Sequence, residues 1–205
     1  MRKDAVVFGI AGIFFGLLVG WIIGSQQASA PPVAAPAATT AAAAPAQSAP
    51  ALDESRAATL RATAERNPGD AETRVQLGNL YFDAERFEDA VKWYEEAVRI
   101  APQDVSASTD LGISYYYTNQ PDRALTQFER SLTIDPKHSK TLLNVGIVRA
   151  FGKQDLEGAA KAFQQVLDLA PGSPEARAAR QALDGLRSAH PDVPGGAAKT
   201  PGSQN

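Results

Sequence analysis

Between residues 71 and 172 the chain repeats itself. Leu77-Gly78, Tyr81, Ala90, Tyr94, Ala97 and Pro102 recur as Leu111-Gly112, Tyr115, Ala124, Phe128, Ser131 and Pro136. They recur again as Val145-Gly146, Arg149, Ala159, Phe163, Val166 and Pro171. Gly78, Gly112 and Gly146 stand 34 residues apart, as do Pro102 and Pro136, while Pro171 comes one residue late. A fixed period of this size marks a supersecondary unit that cannot bury its apolar face alone and stacks on copies of itself.

Each unit reads as two helices. The first unit places them at 71–83 and 87–100, the second at 105–118 and 121–134, and the third at 139–151 and 155–169. Gly78, Gly112 and Gly146 fall inside the leading helix, where Gly costs about 1 kcal/mol relative to Ala. That cost is intelligible if the second helix passes so close that a Cβ has no room. Tyr81 and Tyr115 then fill the gap between the helices, and Ala90, Ala124 and Ala159 are the small residues that admit them. Leu77, Leu111, Phe128 and Phe163 complete the packing set. Pro121 suits the first helical turn, where no N–H is needed. The extra residue before Pro171 is expected in the turn at 151–158, since loops absorb insertions.

The period and the order Leu-Gly-x-x-Tyr…Ala-x-x-x-Phe…Pro resemble the tetratricopeptide repeat (TPR). The first two units match nearly every position, the third about half. The usual Trp at the fourth position is replaced by Arg74, Ser108 and Leu142. The resemblance implies an all-α, right-handed solenoid of helical hairpins, with repeats at 71–104, 105–138 and 139–173. It also implies protein binding on the side formed by the leading helices. The second, fifth, ninth, twelfth and thirteenth positions of each repeat line that groove. They are Glu72, Val75, Asn79, Phe82 and Asp83, then Ser106, Thr109, Ile113, Tyr116 and Tyr117, then Lys140, Leu143, Ile147, Ala150 and Phe151. Relatives that clamp a C-terminal carboxylate use Lys, Arg and Asn at the fifth and ninth positions. Only Asn79 matches, so the groove reads as apolar and aromatic, suited to a peptide with apolar anchors. Phe82, Tyr116 and Tyr117 are its leading contacts; Ile113 and Ile147 alternatively fill the core between neighbouring helices. A further alternative lays the C-terminal helix in the groove.

The flanks complete the array. Residues 51–70 form a half-repeat helix ending in Asn67-Pro68-Gly69-Asp70, like the endings at Pro102, Pro136 and Pro171. Residues 174–189 form a capping helix opened by Ser173-Pro174-Glu175. Residues 190–205 form a polar tail.

Ahead of the array, residues 1–4 carry Arg2 and Lys3, and 5–24 carry no charge. Twenty helical residues at about 1.5 Å each reach about 30 Å, a bilayer's width. Ala28-Ser29-Ala30 admits a cleaved signal, but the long apolar run and Pro31 favour a retained transmembrane signal anchor. Arg2 and Lys3 leave the N-terminus in the cytoplasm and export the rest, which places the repeats in the periplasm if this is a bacterial inner-membrane protein. Gly12, Gly16, Gly20 and Gly24 share one helix face and permit self-association of the span. Residues 25–50 are an Ala/Pro-rich spacer.

Composition narrows the function. The chain has no Cys and two His, with a formal net charge of −3. That excludes thiolate chemistry and leaves no ordinary zinc site. No basic stripe exists for nucleic acid, and no cofactor motif or catalytic constellation is present. The expected role is a non-enzymatic, membrane-anchored adaptor for a protein or peptide partner, serving assembly or maturation in the cell envelope. The alternative is a structural protein oligomerised through its span.

Overall fold

The computed structural model describes residues 50–193. The charge-free run with Gly12, Gly16, Gly20 and Gly24, the spacer up to residue 49 and the tail from residue 194 lie outside the described residues. Among the described residues there are eight α-helices and no strand. None of these helices is long and apolar enough to cross a membrane. They are α1 (Glu54–Arg66), α2 (Ala71–Asp83), α3 (Phe87–Ile100), α4 (Val105–Tyr117), α5 (Pro121–Ile134), α6 (Ser139–Ile147), α7 (Leu156–Leu169) and α8 (Pro174–Ala189). The pairs α2/α3, α4/α5 and α6/α7 form hairpins, α1 packs on α2, and α8 packs on α6 and α7. The result is an all-α, TPR-like helical solenoid.

Local chemistry sets the helix ends. Asp53, Asp70, Asp104, Asp155 and Ser173 each cap a helix by accepting from a backbone N–H three residues on. Each such bond satisfies one of the donors that a helix start leaves unpaired. Two Thr73 donors, hydroxyl and N–H, hold the Asp70 carboxyl below its ordinary pKa. The four proline turns share one closure. The N–H groups of Asp70, Asp104, His138 and Ser173 donate to the carbonyls of Asn67, Ala101, Asp135 and Ala170. Within the hairpins, Glu85, Asn119 and Gln154 take left-handed backbone at φ 55°, 60° and 56°. Asn tolerates that region; Glu and Gln do so at a cost of about 1–2 kcal/mol.

The packing at the repeat glycines differs from expectation. An added Cβ at Gly78 would meet not helix backbone but the Tyr94 ring, with carbons at 2.6 to 2.8 Å. Gly112 faces the Phe128 ring and Gly146 the Phe163 ring in the same way. Both Phe rings are completely buried, as are Ala90, Ala124 and Ala159. Each glycine therefore serves as the floor of a ring socket. Leu77 and Leu111 are buried in the same core, and Tyr81 and Tyr115 are nearly so.

The third hairpin also corrects the sequence reading. The extra residue is absorbed by the helix end and not by the loop: Val148–Gly152 forms a π-helical turn continuing α6. Lys153 N–H donates to Val148 C=O at 3.1 Å. A π turn takes in one residue while keeping the backbone bonded.

The fourth position, where the family's Trp is missing, is solved three ways. Arg74 is buried, and its Nε donates to Glu96 Oε2 at 2.9 Å. Its other nitrogens donate to the carbonyls of Asn67, Asp70 and Ala64 at 3.2, 2.7 and 3.2 Å. It thereby ties the carboxyl end of α1 to α2 and α3. Ser108 receives hydrogen bonds from Ser131 Oγ and Gln127 Nε2 of α5 at 2.8 and 2.7 Å. Leu142 simply fills space in the second apolar cluster, which continues through Phe163 and Val166 to Ala176, Ala179, Leu183 and Val193.

Candidate functional site

At the hairpin tips, where α2 and α4 end and α3 begins, four aromatic side chains meet. Phe87 stacks on Tyr117 with centroids 4.6 Å apart and planes at 26°. Phe82 meets both edge-on, at 5.1 Å from Phe87 and 5.3 Å from Tyr117. Tyr116 touches Tyr117 at 5.9 Å. Rings in offset and edge-to-face order bury apolar area and hold one another's rotamers. Tyr117 nevertheless remains 42% exposed, and Phe151, its equivalent in the third repeat, is 63% exposed. Single exposed apolar side chains are ordinary, but aromatics clustered at one place mark a candidate binding surface.

Phe87 escaped the sequence reading. It opens α3, outside the groove positions of the leading helix, and joins the cluster because the hairpin turn folds it onto Phe82. The signal was present as two aromatics five residues apart across a turn.

The other groove candidates divide by burial. Val75 and Ile113 are half-buried and pack on the first core cluster, while Leu143 and Ile147 pack on the second. Asn79 is exposed and accepts a hydrogen bond from the Tyr94 hydroxyl at 2.5 Å. Asp83 is exposed at the end of α2. Lys140 reaches from α6 to Asp110 of α4 at 2.6 Å. Ala150 is buried, and so presents little to a ligand.

Thr109 is withdrawn from the groove altogether. It is fully buried, its hydroxyl donates to Val105 C=O, and Thr141 Oγ1 lies 2.6 Å away. His138 Nδ1 adds a contact to Thr141 at 2.6 Å. Thr109 is a polar spacer between α4 and α6. Replacing either Thr with Val removes the bond between them but leaves the other hydroxyl its second partner, Val105 C=O or His138, and should cost about 0.5–1.5 kcal/mol, whereas the double replacement should cost less than the two summed. Urea unfolding of the three variants measures the difference.

A second polar cluster gathers around Tyr115. The Arg123 guanidinium lies 4.0 Å above the Tyr115 ring and donates to Glu95 and to the Tyr115 hydroxyl. The Tyr115 hydroxyl donates to Glu95 Oε1 at 2.7 Å. Burial and this bond to Glu95 push the phenol up. Each member has its partner within the cluster, which stitches α3, α4 and α5 together. Among the described residues no group of three or more His, Asp or Glu is placed to hold a metal ion.

α8 packs on α6 and α7, at the end of the stack, and so does not run along α2 and α4. The aromatic tips of the first two repeats stay uncovered by it.

Comparison with known proteins finds repeats in the same part of the chain. Residues 78–118 match the family model described as TPR repeat, and residues 109–174 match the one described as Tetratricopeptide repeat. The chain is 30% identical over 106 residues to Protein O-mannosyl-transferase TMTC3 of Homo sapiens, covering 52% of this chain and 12% of that protein. It is 28% identical over 121 residues to Hsp70-Hsp90 organizing protein 3 of Arabidopsis thaliana, covering 59% of this chain and 20% of that protein. It therefore spans a fifth or less of these relatives' length. Among solved structures, the first TPR of Spaghetti (RPAP3) bound to an HSP90 peptide superposes with a TM-score of 0.53 at 24% identity. That match covers 58% of this chain and 94% of the solved one, and it is a likeness of fold. Tetratricopeptide repeats are thus recognised within residues 78–174 of this chain.

Proposed function

We propose that the chain is a membrane-tethered adaptor whose repeats bind a segment of a partner protein at the aromatic hairpin tips. The observation that carries this reading is the exposed Tyr117 and Phe151 at equivalent places on adjacent hairpins, with Phe82 and Phe87 packed behind Tyr117. Aromatic anchors on a rigid support are what interface hot spots are made of. Relatives with this fold support the general role: one has been solved with a bound HSP90 peptide, and another is named for organizing Hsp70 and Hsp90. The ligand class differs, because Val75, Ile113, Leu143 and Ile147 occupy positions where a carboxylate clamp needs polar or basic groups.

The tether rests on residues 5–24, and the placement of the repeats in the periplasm of a bacterial envelope rests on Arg2 and Lys3 preceding that run.

Replacing both Tyr117 and Phe151 with Ala tests the proposal. Both side chains are exposed, so helical circular dichroism should be unchanged, while a partner co-purified with the full chain from detergent-solubilised membranes should be lost. Undiminished co-purification would remove the aromatic tips from the site.

A further inference from the structure

We infer that the segment bound at the hairpin tips carries a Lys or Arg side chain that seats on the Tyr117–Phe87 pair. This inference rests on the binding role just proposed and names the chemistry of the partner.

Three observations carry it. First, Glu85 acts on the Tyr117 ring, and Asp83 and Glu88, the chain neighbours of Phe82 and Phe87, are exposed like it. Among the described residues none of these three carboxylates takes part in an ion pair. Their neighbour Asp89, by contrast, is held by Arg86 at 2.6 Å and Lys92 at 3.0 Å. Arg86 also points to Glu54, at 3.6 Å, so both of these cations are already engaged.

Second, the fold itself uses cations over tyrosines on these hairpins. Arg86 lies 5.0 Å from the Tyr81 ring centre, and Arg123 lies 4.0 Å from that of Tyr115. Among the described residues no cation covers Tyr117, which is more exposed than either. A cation over a ring face contributes about 0.5–1 kcal/mol when exposed and about 2 when desolvated.

Third, the Glu85 carboxylate lies close enough to act on the Tyr117 ring. Burial raises the Tyr117 phenol above its ordinary pKa, and the Glu85 carboxylate adds to that rise. Burial disfavours either charge there, but the Glu85 carboxylate favours a positive one beside the ring. The lysines of the third repeat are neutralised in turn, Lys140 by Asp110, Lys153 by Asp122 and Lys161 by Glu157. An apolar platform with unanswered negative charge thus selects a basic, apolar-anchored segment and rejects the acidic tails that a carboxylate clamp would take.

Selection of short random peptides displayed on phage tests this on the full chain in detergent micelles. Peptides enriched on the wild-type chain should carry Arg or Lys beside an apolar anchor. Their affinity should fall about tenfold for the Asp83→Asn/Glu85→Gln/Glu88→Gln variant, which keeps the rings and removes the charge complement of the bound cation. Raising the salt concentration should weaken them as well. Enriched peptides that need Tyr117 yet are neutral or acidic would overturn the inference and leave the binding role standing. Binding indifferent to Tyr117→Ala, or no enrichment at all, would overturn both.

Discussion

Gly112→Ala should lower the unfolding free energy by about 2–3 kcal/mol, at the upper end of the cost of overfilling a packed core. The new methyl would lie against Cδ1 and Cε1 of Phe128, which is fully buried and has nowhere to move. Helix propensity alone predicts the opposite sign, since Ala replaces Gly inside α4 at a gain of about 1 kcal/mol. The two effects can be separated. At Gly185 of α8 an added Cβ meets nothing within 4 Å, so Gly185→Ala should stabilise by up to about 1 kcal/mol. In the double variant Gly112→Ala/Phe128→Leu, the methyl enters space vacated by the ring. That variant should lose at least about 0.5 kcal/mol less than the two single losses combined. Strict additivity in urea titrations would mean that the glycine is not the ring's socket.

Arg74→Met should cost about 2–3 kcal/mol, chiefly through the backbone. Its partner Glu96 is 45% exposed, so losing the ion pair leaves a carboxylate that water can serve. The carbonyls of Ala64, Asn67 and Asp70 are the groups that lose a charged donor, and Arg74 itself is 6% exposed. Hydrogen bonds to charged groups contribute about 1.5–3 kcal/mol each before compensation by water, which reaches Asn67 readily. Glu96→Gln should therefore cost under about 1 kcal/mol. Arg74→Lys should fall between, because an ammonium lacks the planar fork that serves two directions at once. Amide exchange in α1 should speed up in Arg74→Met more than in α7. Equal losses for Arg74→Met and Glu96→Gln would show that the ion pair, not the carbonyl clamp, is what matters.

The contrast between these two sites shows how far sequence carries. The glycine period revealed the hairpins and nearly all their ends, because Gly, Pro and Asp act locally through backbone geometry and capping. Helices α2, α3 and α5 begin and end where the pattern put them. What the glycines face could not be read, since Tyr94, Phe128 and Phe163 reach them from another helix. Arg74 looked like a mere departure from the family's Trp. Only the folded chain shows the carbonyls converging on it from residues 64 to 70. The π turn was missed for a related reason: an insertion is visible in a period, but its choice between loop and helix end depends on three-dimensional packing.

The site was legible in part. Phe82, Tyr116, Tyr117 and Phe151 follow from repeat position, and the structure brings the first three together. Phe87 does not follow, because it belongs to the opposite helix of its hairpin. Thr109 sits at a groove position but is sealed between α4 and α6 by its hydroxyl bond to Thr141. Periodicity assigns a residue to a face; whether that face is wet depends on how closely neighbouring helices approach.

The most direct test of the account is crosslinking in living cells from a photoreactive side chain placed at Tyr117, at Phe151, and at the exposed Gln164 of α7. One polypeptide should be attached from both Tyr117 and Phe151, and attachment from Gln164 should be absent. Equal attachment from Gln164, or none from the two aromatic positions in cells where the full chain still co-purifies its partner, would contradict it.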